Sequence, residues 1–429
     1  MSRSLDDRIV IIGAGVFGLS TAVSLSEQGY KDITVLDRHV PPVPDGSSVD
    51  ISRIIRFDYG DPAYTLIAKE AFDSWATSTY TSNGIFQKTP LVMAANTKNL
   101  RARSWIDRCI TQLADKNLPY ERLDSASSTK DLFPMLSGPL IQPDLFGYCN
   151  RSAGWADAAK GVLHFRNLCI EKGISFVSGA HGTVTGFDTD AQGEIVAART
   201  ASGRKVEAEH FVLAAGAWSN KLVPMYNSTL ATGQVLGYIK LTPEEMVRLK
   251  DMPIYINTET GWFVFPPHED TALLKCAVHG WGYTRSETQE PSSPIAAPRS
   301  ERVNFAPADG VRRLRDGLRE VFPEIAERGF DRTAVCWYND TPTGDFIMDY
   351  HPDHPNLFVA TGGSGHAFKF LPVLGKYTAM AFTRSLPAEL AQKWKFRTEY
   401  KSQKDVFAGD GSRGGPERRE FTKEEKARL

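Results

Sequence analysis

Two rhythms of apolar and polar residues alternate along this chain. Ile9–Ile12 is an unbroken apolar, β-branched run, the pattern of a strand buried on both faces. Gly13-Ala14-Gly15-Val16-Phe17-Gly18 follows at once. Leu19–Gln28 then repeats apolar residues at helical spacing up to Gly29, a helix end. Ile33–Leu36 is a second buried run, closed by Asp37. Strand, glycine turn, helix, strand and terminal acid make one βαβ unit of about 30 residues.

Helical spacing returns in Tyr64–Trp75 and Trp155–Lys172, and strands are expected at Ile174–Val177 and Glu209–Leu213. The latter runs into Ala214-Ala215-Gly216-Ala217-Trp218. The stretch 90–150 is mixed and reads as loop-rich inserted material. Residues 230–325 mix strands with Pro/Ser turns such as Pro291–Pro298, and from Phe358 the parallel-strand pattern resumes in FVATGG. From 399 the tail is charged and glycine-bearing and is expected to be extended or disordered in part. These patterns predict an α/β fold with two interleaved domains. A Rossmann-type nucleotide-binding domain comprises 1–90, 150–230 and 326–398. A β-rich substrate-binding domain comprises 91–149 and 231–325, and 399–429 is a separate tail.

Length and charge narrow the function. At 429 residues the chain exceeds one ordinary core, which agrees with two domains. A net charge of −1 gives no basic field for nucleic acid or an anionic membrane. No apolar run reaches a membrane span, and the polar start MSRSLDDR is not that of a signal peptide. The five cysteines are odd in number, scattered and without a C-x-x-C, so neither a disulfide framework nor a metal site is expected. A reducing intracellular compartment follows.

The glycines carry the first chemistry. Gly13 permits the tight turn, Gly15 lets a pyrophosphate approach the backbone, and Gly18 lets the helix pack on the strand. Free N–H groups at the helix start face the phosphates, and Asp37 accepts from the adenosine ribose. The fingerprint alone leaves NAD and FAD open. Two further glycine-bearing strand ends, Ala214–Trp218 and Thr361–Gly365, bring backbone toward an elongated ligand and favour FAD. Cys336 precedes the last such strand, and Lys369 follows it. By composition alone Cys336 reads as an inert core thiol and Lys275, in ALLKCAVHG, as an outward strand lysine.

Motif context changes both readings. Ile9–Arg38, Ser48–Arg56, Gly154–Lys160, Val212–Ser219, Cys336 and Ser364–Phe370 resemble the sarcosine oxidase branch of the D-amino-acid-oxidase-like flavoproteins. The phrases YKDITVLDR, VLAAGAW and LTPEE resemble its fungal group of saccharopine and fructosyl amino acid oxidases. The resemblance implies FAD bound through Gly13, Gly15, Val16, Phe17, Gly18, Asp37, Arg38, Ser48, Arg53, Val184, Gly216, Trp218, Gly363, Gly365, Phe368 and Lys369. It implies a covalent 8α-S-cysteinyl link at Cys336, which as thiolate is the nucleophile such a link requires. It assigns Lys275 to dioxygen activation, where a cation stabilises developing charge. It gives Arg56 and Lys369 the substrate carboxylate, a planar fork paired with a point charge.

The implied reaction oxidises the C–N bond of a secondary-amine amino acid to an imine that hydrolyses, with O2 reduced to H2O2. Saccharopine is the first choice of substrate, then pipecolate or an N-methyl amino acid. His279 stands where the fructosyl enzymes carry an acid, and they tend to lack Arg56, which disfavours a sugar adduct. Arg397 resembles an arginine those enzymes use for a substrate carboxylate. His366, beside Lys369, reads as a hydrogen-bonded structural histidine. Alternatives are a fructosyl amino acid oxidase, an imine-forming tailoring enzyme, or a redox sensor, which needs neither Lys275 nor Cys336. Expected partners are the amino acid and O2, in a monomer. Ala427-Arg428-Leu429 is a variant of the S-K-L address, so a peroxisomal import receptor and location are expected.

Overall fold

The βαβ unit forms where the hydrophobic pattern puts it. In this computed structural model, which describes residues 4–287, 291–400 and 409–429, Ile9–Ile12 and Ile33–Leu36 pair in parallel from Ile9–Ile33 to Ile12–Leu36. Helix Val16–Glu27 connects them. The remaining strands of this six-stranded sheet follow the order Ile347–His351, His354–Thr361, His210–Leu213, Ile9–Ile12, Ile33–Leu36, Ser175–Val177. All neighbours are parallel except the hairpin at the Ile347 edge. Helix cover on such strands explains their unbroken apolar runs: Ile9, Val10 and Ile11 are fully buried, each contributing roughly 1.5–3 kcal/mol.

Small residues let the layers close. A Cβ on Gly18 would sit 1.8 Å from the Gly13 carbonyl oxygen, and one on Gly375 would sit 1.9 Å from that of Ser20. Helix Leu371–Phe382 therefore lies directly against helix Val16–Glu27, with the Ser20 hydroxyl accepting from Gly375 N at 2.6 Å.

The second layer is a ten-stranded sheet built around the long strand Leu230–Lys240. That strand pairs with Leu273–Val278 on one side and, residue for residue from Leu230–Asp340 to Tyr238–Arg332, with Arg332–Asp340 on the other. Helix Ala308–Val321 covers it through Gly317, where a Cβ would meet the Trp262 ring at 2.2 Å. A small sheet of Arg53–Ile55, Gly154–Ala156 and Phe86–Lys88 runs between the layers.

Three expectations need correction. The stretch 90–150 is not loop-rich: Leu91–Asn96 and Leu145–Asn150 pair antiparallel inside the large sheet, and Leu100–Asp115 is a regular helix. The strand Arg332–Asp340, which carries Cys336, was expected in the nucleotide-binding domain but pairs within the large sheet, because its apolar face continues that of Leu230–Lys240. The tail from 409 is ordered by packing rather than by composition. Phe421 stacks on Tyr283 at 5.1 Å, helix Lys423–Arg428 carries a Thr422/Glu425 capping box, and Leu429 is only 9% exposed, with Arg428 over the Phe305 ring. The tripeptide read as an address is thus docked against the protein. Residues 401–408 of that tail lie outside the described residues. Among the described residues no helix is long and apolar enough to cross a membrane.

Candidate functional site

Two cavities open along the seam between the layers. The first is lined by Gly13, Gly15, Asp37, Arg38, Ser48, Val184, Gly216 and Trp218. Gly13 has φ +111°, and a Cβ there would lie 2.4 Å from the Ala214 carbonyl oxygen, so only glycine serves. Helix Val16–Glu27 begins at Gly15, on the cavity lining, with no side-chain cap at its N-cap position, and Val16 N donates to Ser48 Oγ at 3.0 Å. Asp37 accepts from Ala14 N at 2.6 Å. Arg38 is fixed by two bonds to Asp45 (2.9 and 2.7 Å) and lies 4.2 Å over Trp218. This is an uncapped helix start, a glycine cradle, an acid and a stacked arginine, and it fits the dinucleotide half of FAD.

The second cavity gathers the residues that the sequence assigns to the reaction end. Arg53, Arg56, Lys275, His279, Cys336, Gly365, Phe368 and Lys369 all line it. The structure thus gathers in one place residues more than 300 positions apart.

Asp50 organises one wall and was missed in the sequence, although it stands three residues before Arg53. Its carboxylate receives Lys275 Nζ at 2.9 Å, Arg53 Nη1 at 2.5 Å and the Tyr238 hydroxyl at 2.9 Å, with Arg302 at 3.8 Å. Lys275, 2% exposed, also donates to the Ser52 carbonyl at 2.6 Å. Burial pushes the Asp50 carboxyl up, but the charges of Lys275, Arg53 and Arg302 overcome it and hold it well below the carboxylate range. Lys275 goes the other way. Burial, and the charge of Arg53 beside it, lower it to about 7 against the raising effect of Asp50. Arg53 reaches onward to the Ser47 carbonyl (2.9 Å) and to Cys336 Sγ (3.7 Å), and Cys336 is 3% exposed.

Arg56 and Lys369, expected from the sequence to hold a carboxylate, line the same cavity. Arg56 is 9% exposed, lies 5.0 Å over Tyr59 and 5.4 Å over Trp105, and leaves Nη1 without a hydrogen-bond partner. Lys369 Nζ donates to the Tyr59 hydroxyl and to the His366 carbonyl, both at 2.9 Å. Burial, and then the Arg56 charge, pull Lys369 well below its ordinary value. An anionic group in this place would supply the missing acceptor for Arg56 and favour the charged form of Lys369. His366 behaves structurally, as expected. Its Nε2 faces the Gly344 carbonyl at 2.8 Å, so Nδ1 accepts from Tyr59 (2.9 Å), and burial with Lys369 nearby lowers it to about 3.

Other predicted residues fall elsewhere. Phe17 is core, edge-on to Phe346 at 5.6 Å, while Gly18 packs on Gly13 and a Cβ on Gly363 would touch Phe17. None of these, nor the Val16 side chain, lines either cavity. Arg397 does not reach the reaction end. It bonds the Lys393 and Gln392 carbonyls at 3.2 and 3.0 Å, capping helix Ala388–Lys393. The tail lines that cavity instead through Asp410, Ser412 and Arg413. His279 Nε2 lies 3.1 Å from Ser412 Oγ and its Nδ1 3.3 Å from the Tyr338 hydroxyl. Arg413 forms a buried fork on Asp340 (2.8 and 2.5 Å). A charged, glycine-rich stretch offered no signal for this role. The acid/histidine group Asp157, His268 and Asp270 is close enough for a metal, but Lys160 Nζ already sits 2.7 Å from Asp270 and 3.7 Å from Asp157.

Known proteins agree with this anatomy. The family model for FAD dependent oxidoreductases (DAO) matches residues 8–381. L-saccharopine oxidase of Schizosaccharomyces pombe is 31% identical over 422 residues, covering 94% of this chain and 95% of that protein. Monomeric sarcosine oxidase of a Bacillus species is 27% identical, covering 88% and 91%. Among solved structures, the deglycating fructosamine oxidase Amadoriase II of Aspergillus fumigatus superposes with a TM-score of 0.87 at 26% identity, covering 98% of this chain and 96% of that one.

Proposed function

From the premise that this chain belongs to the FAD-dependent oxidoreductase family, we propose that it oxidises the C–N bond of a secondary-amine amino acid, L-saccharopine first, then L-pipecolate or an N-methyl amino acid. The observation that carries this is the buried Arg56 guanidinium with Nη1 unpaired, beside Lys369 and across the cavity lining from Cys336 and Lys275. A carboxylate gripped there is held in one orientation, so the adjoining C–N bond is presented the same way in every encounter. When bound, FAD would supply the acceptor for a hydride from the carbon beside nitrogen; with the proton lost from that nitrogen, the two electrons would reduce dioxygen to hydrogen peroxide and leave the imine. Water then adds to the imine product and releases amine and carbonyl.

The chain's own residues supply position and charge. Arg56 and Lys369 hold the carboxylate. Apolar Phe263, Phe265 and Leu236 line the same cavity and exclude water. Lys275, anchored on Asp50, offers a proton and a positive charge where dioxygen is reduced.

The reading also includes a covalent link from Cys336 to the flavin. The support is the buried Cys336 thiol on the lining of this cavity, with the Arg53 guanidinium 3.7 Å from its sulfur. Acid precipitation of the purified protein is expected to leave a yellow pellet, and a Cys336→Ser variant a colourless one. The substrate test is peroxide release with saccharopine, pipecolate, sarcosine, N-methyl aromatic amino acids and fructosyl-valine. Turnover is expected with saccharopine above the others. Turnover restricted to fructosyl-valine would instead favour the deglycating activity.

A further inference from the structure

Asp410 is the one acidic side chain lining the reaction-end cavity among the described residues. It stands against five cations there: Arg53, Arg56, Lys275, Lys369 and Arg413. Three of those are already paired, Arg53 and Lys275 with Asp50 and Arg413 with Asp340. Arg56 and Lys369 are the carboxylate clamp. Asp410 is left over. Its Oδ1 accepts from Ser412 N at 2.9 Å and Ser412 Oγ at 2.5 Å. Among the described residues no Lys, Arg or His nitrogen forms an ion pair with it, and Oδ2 has no hydrogen bond.

The position is built rather than accidental. Arg108 Nη2 of helix Leu100–Asp115 holds the Asp410 carbonyl at 3.0 Å, and Trp105 of the same helix abuts Gly411. Two residues on, Arg413 locks the segment to buried Asp340. The neighbouring imidazoles do not cancel the charge: burial, first, keeps both His279 and His366 neutral. Asp410 is exposed; although partial desolvation pushes its carboxyl up, the hydrogen bonds from Ser412 bring it below its ordinary value. The cavity therefore has recognition groups of both signs, a cationic clamp and a fixed carboxylate with one oxygen open.

We propose that Asp410 binds a cationic group of the substrate remote from the carboxylate held by Arg56 and Lys369, so that the substrate class is an amino acid whose secondary amine bears a chain ending in ammonium. The inference rests on the reading of this cavity as the site of secondary-amine oxidation. Saccharopine presents such a cation as the α-ammonium of its lysine-derived end, which carries a carboxylate on the same carbon. Pipecolate and simple N-methyl amino acids do not.

Binding can be tested apart from turnover. A ladder of ω-amino acids is titrated into the FAD-loaded enzyme against fatty acids of the same chain length, following the flavin absorbance. Wild type is expected to bind the ω-amino acid of best-fitting length about ten- to a hundred-fold more tightly than its fatty acid, the range for a hydrogen bond to a charged group. Asp410→Asn removes that preference, and Asp410→Lys shifts it to α,ω-dicarboxylates. In turnover, Asp410→Asn raises KM for saccharopine while leaving KM for N-methyl amino acids unchanged. Equal affinity of wild type for both ligand series, or a parallel loss for both in Asp410→Asn, overturns the proposal. A wild-type enzyme with the binding preference but no oxidation of any secondary amine overturns the oxidation reading and leaves the charge assignment standing.

Discussion

Asp50 shows how a single buried acid can set the chemistry of its neighbours. Facing Lys275 are Asp50 from the preceding loop, Arg53 from its short strand, Cys336 from Arg332–Asp340 and the Phe265 ring at 4.8 Å; Arg302 and Tyr238 complete the shell around Asp50. Burial lowers Lys275 to about 7, and Asp50 is what keeps it that high. The sign follows directly. The ammonium is present below about pH 7 and is lost as pH rises through it, so the rate of flavin reoxidation by O2 is expected to fall over that window. Asp50→Asn removes the acid and moves the falling limb to lower pH. Stopped-flow mixing of substrate-reduced enzyme with O2 at a series of pH values reads this. An unchanged profile in Asp50→Asn refutes the role. Lys275→Met should slow reoxidation by about 100-fold or more while sparing flavin reduction under anaerobic conditions. That Cys336, Lys275, Arg56 and Lys369 meet in one cavity was legible because each sits in a recognisable motif. Asp50 lay inside one of those motifs and Asp410 inside none; the burial and pairing of Asp50 and the place of Asp410 on the cavity lining are tertiary facts that a one-dimensional pattern does not display.

At the scale of elements, the six-stranded sheet was readable because strands covered on both faces must be continuously apolar, and turn glycines punctuate them. The helix contact between Val16–Glu27 and Leu371–Phe382 was not, since it depends on which small residues meet across 350 positions. Gly375 has an ordinary φ and is required only by proximity, its Cβ falling 1.9 Å from the Ser20 carbonyl oxygen. Gly375→Ala is expected to destabilise by roughly 1–3 kcal/mol through overpacking. It should also weaken FAD retention, because the displaced helix is the one whose start faces the first cavity. Gly329→Ala, with nothing within 4 Å of its Cβ, is the control and should leave melting temperature and flavin content alone. Equal melting temperatures for the two variants would mean that the helices part without cost. The same limit explains the misread stretch 90–150. Leu91–Asn96 and Leu145–Asn150 are partners nearly 50 residues apart, and their strand character comes from that pairing.

For the whole molecule, the tail changes what counts as the active enzyme. A charged, glycine-bearing terminus has the composition of a disordered segment. Yet Arg413 reaches back to Asp340 and Phe421 to Tyr283, so ordering of the tail is bought by tertiary contacts alone. Those contacts make the segment a wall of the reaction-end cavity, while the groups that fit the dinucleotide come from residues 13–218. Truncation after residue 408 should therefore separate two properties. FAD content should persist, because the glycine cradle, Asp37 and Arg38 remain. KM for saccharopine should rise at least about tenfold with the loss of one charged contact. Stability should drop by roughly 3–5 kcal/mol, since Asp340 is left buried without its guanidinium. Arg413→Met alone should reproduce the stability loss, and Arg413→Met combined with Asp340→Leu should recover much of it by removing the orphaned charge. Flavin content, melting temperature and KM measured on the three proteins check the scheme. A truncated enzyme with unchanged KM would show that the tail is packing material only, and the double variant failing to recover would show that the pair does more than neutralise itself.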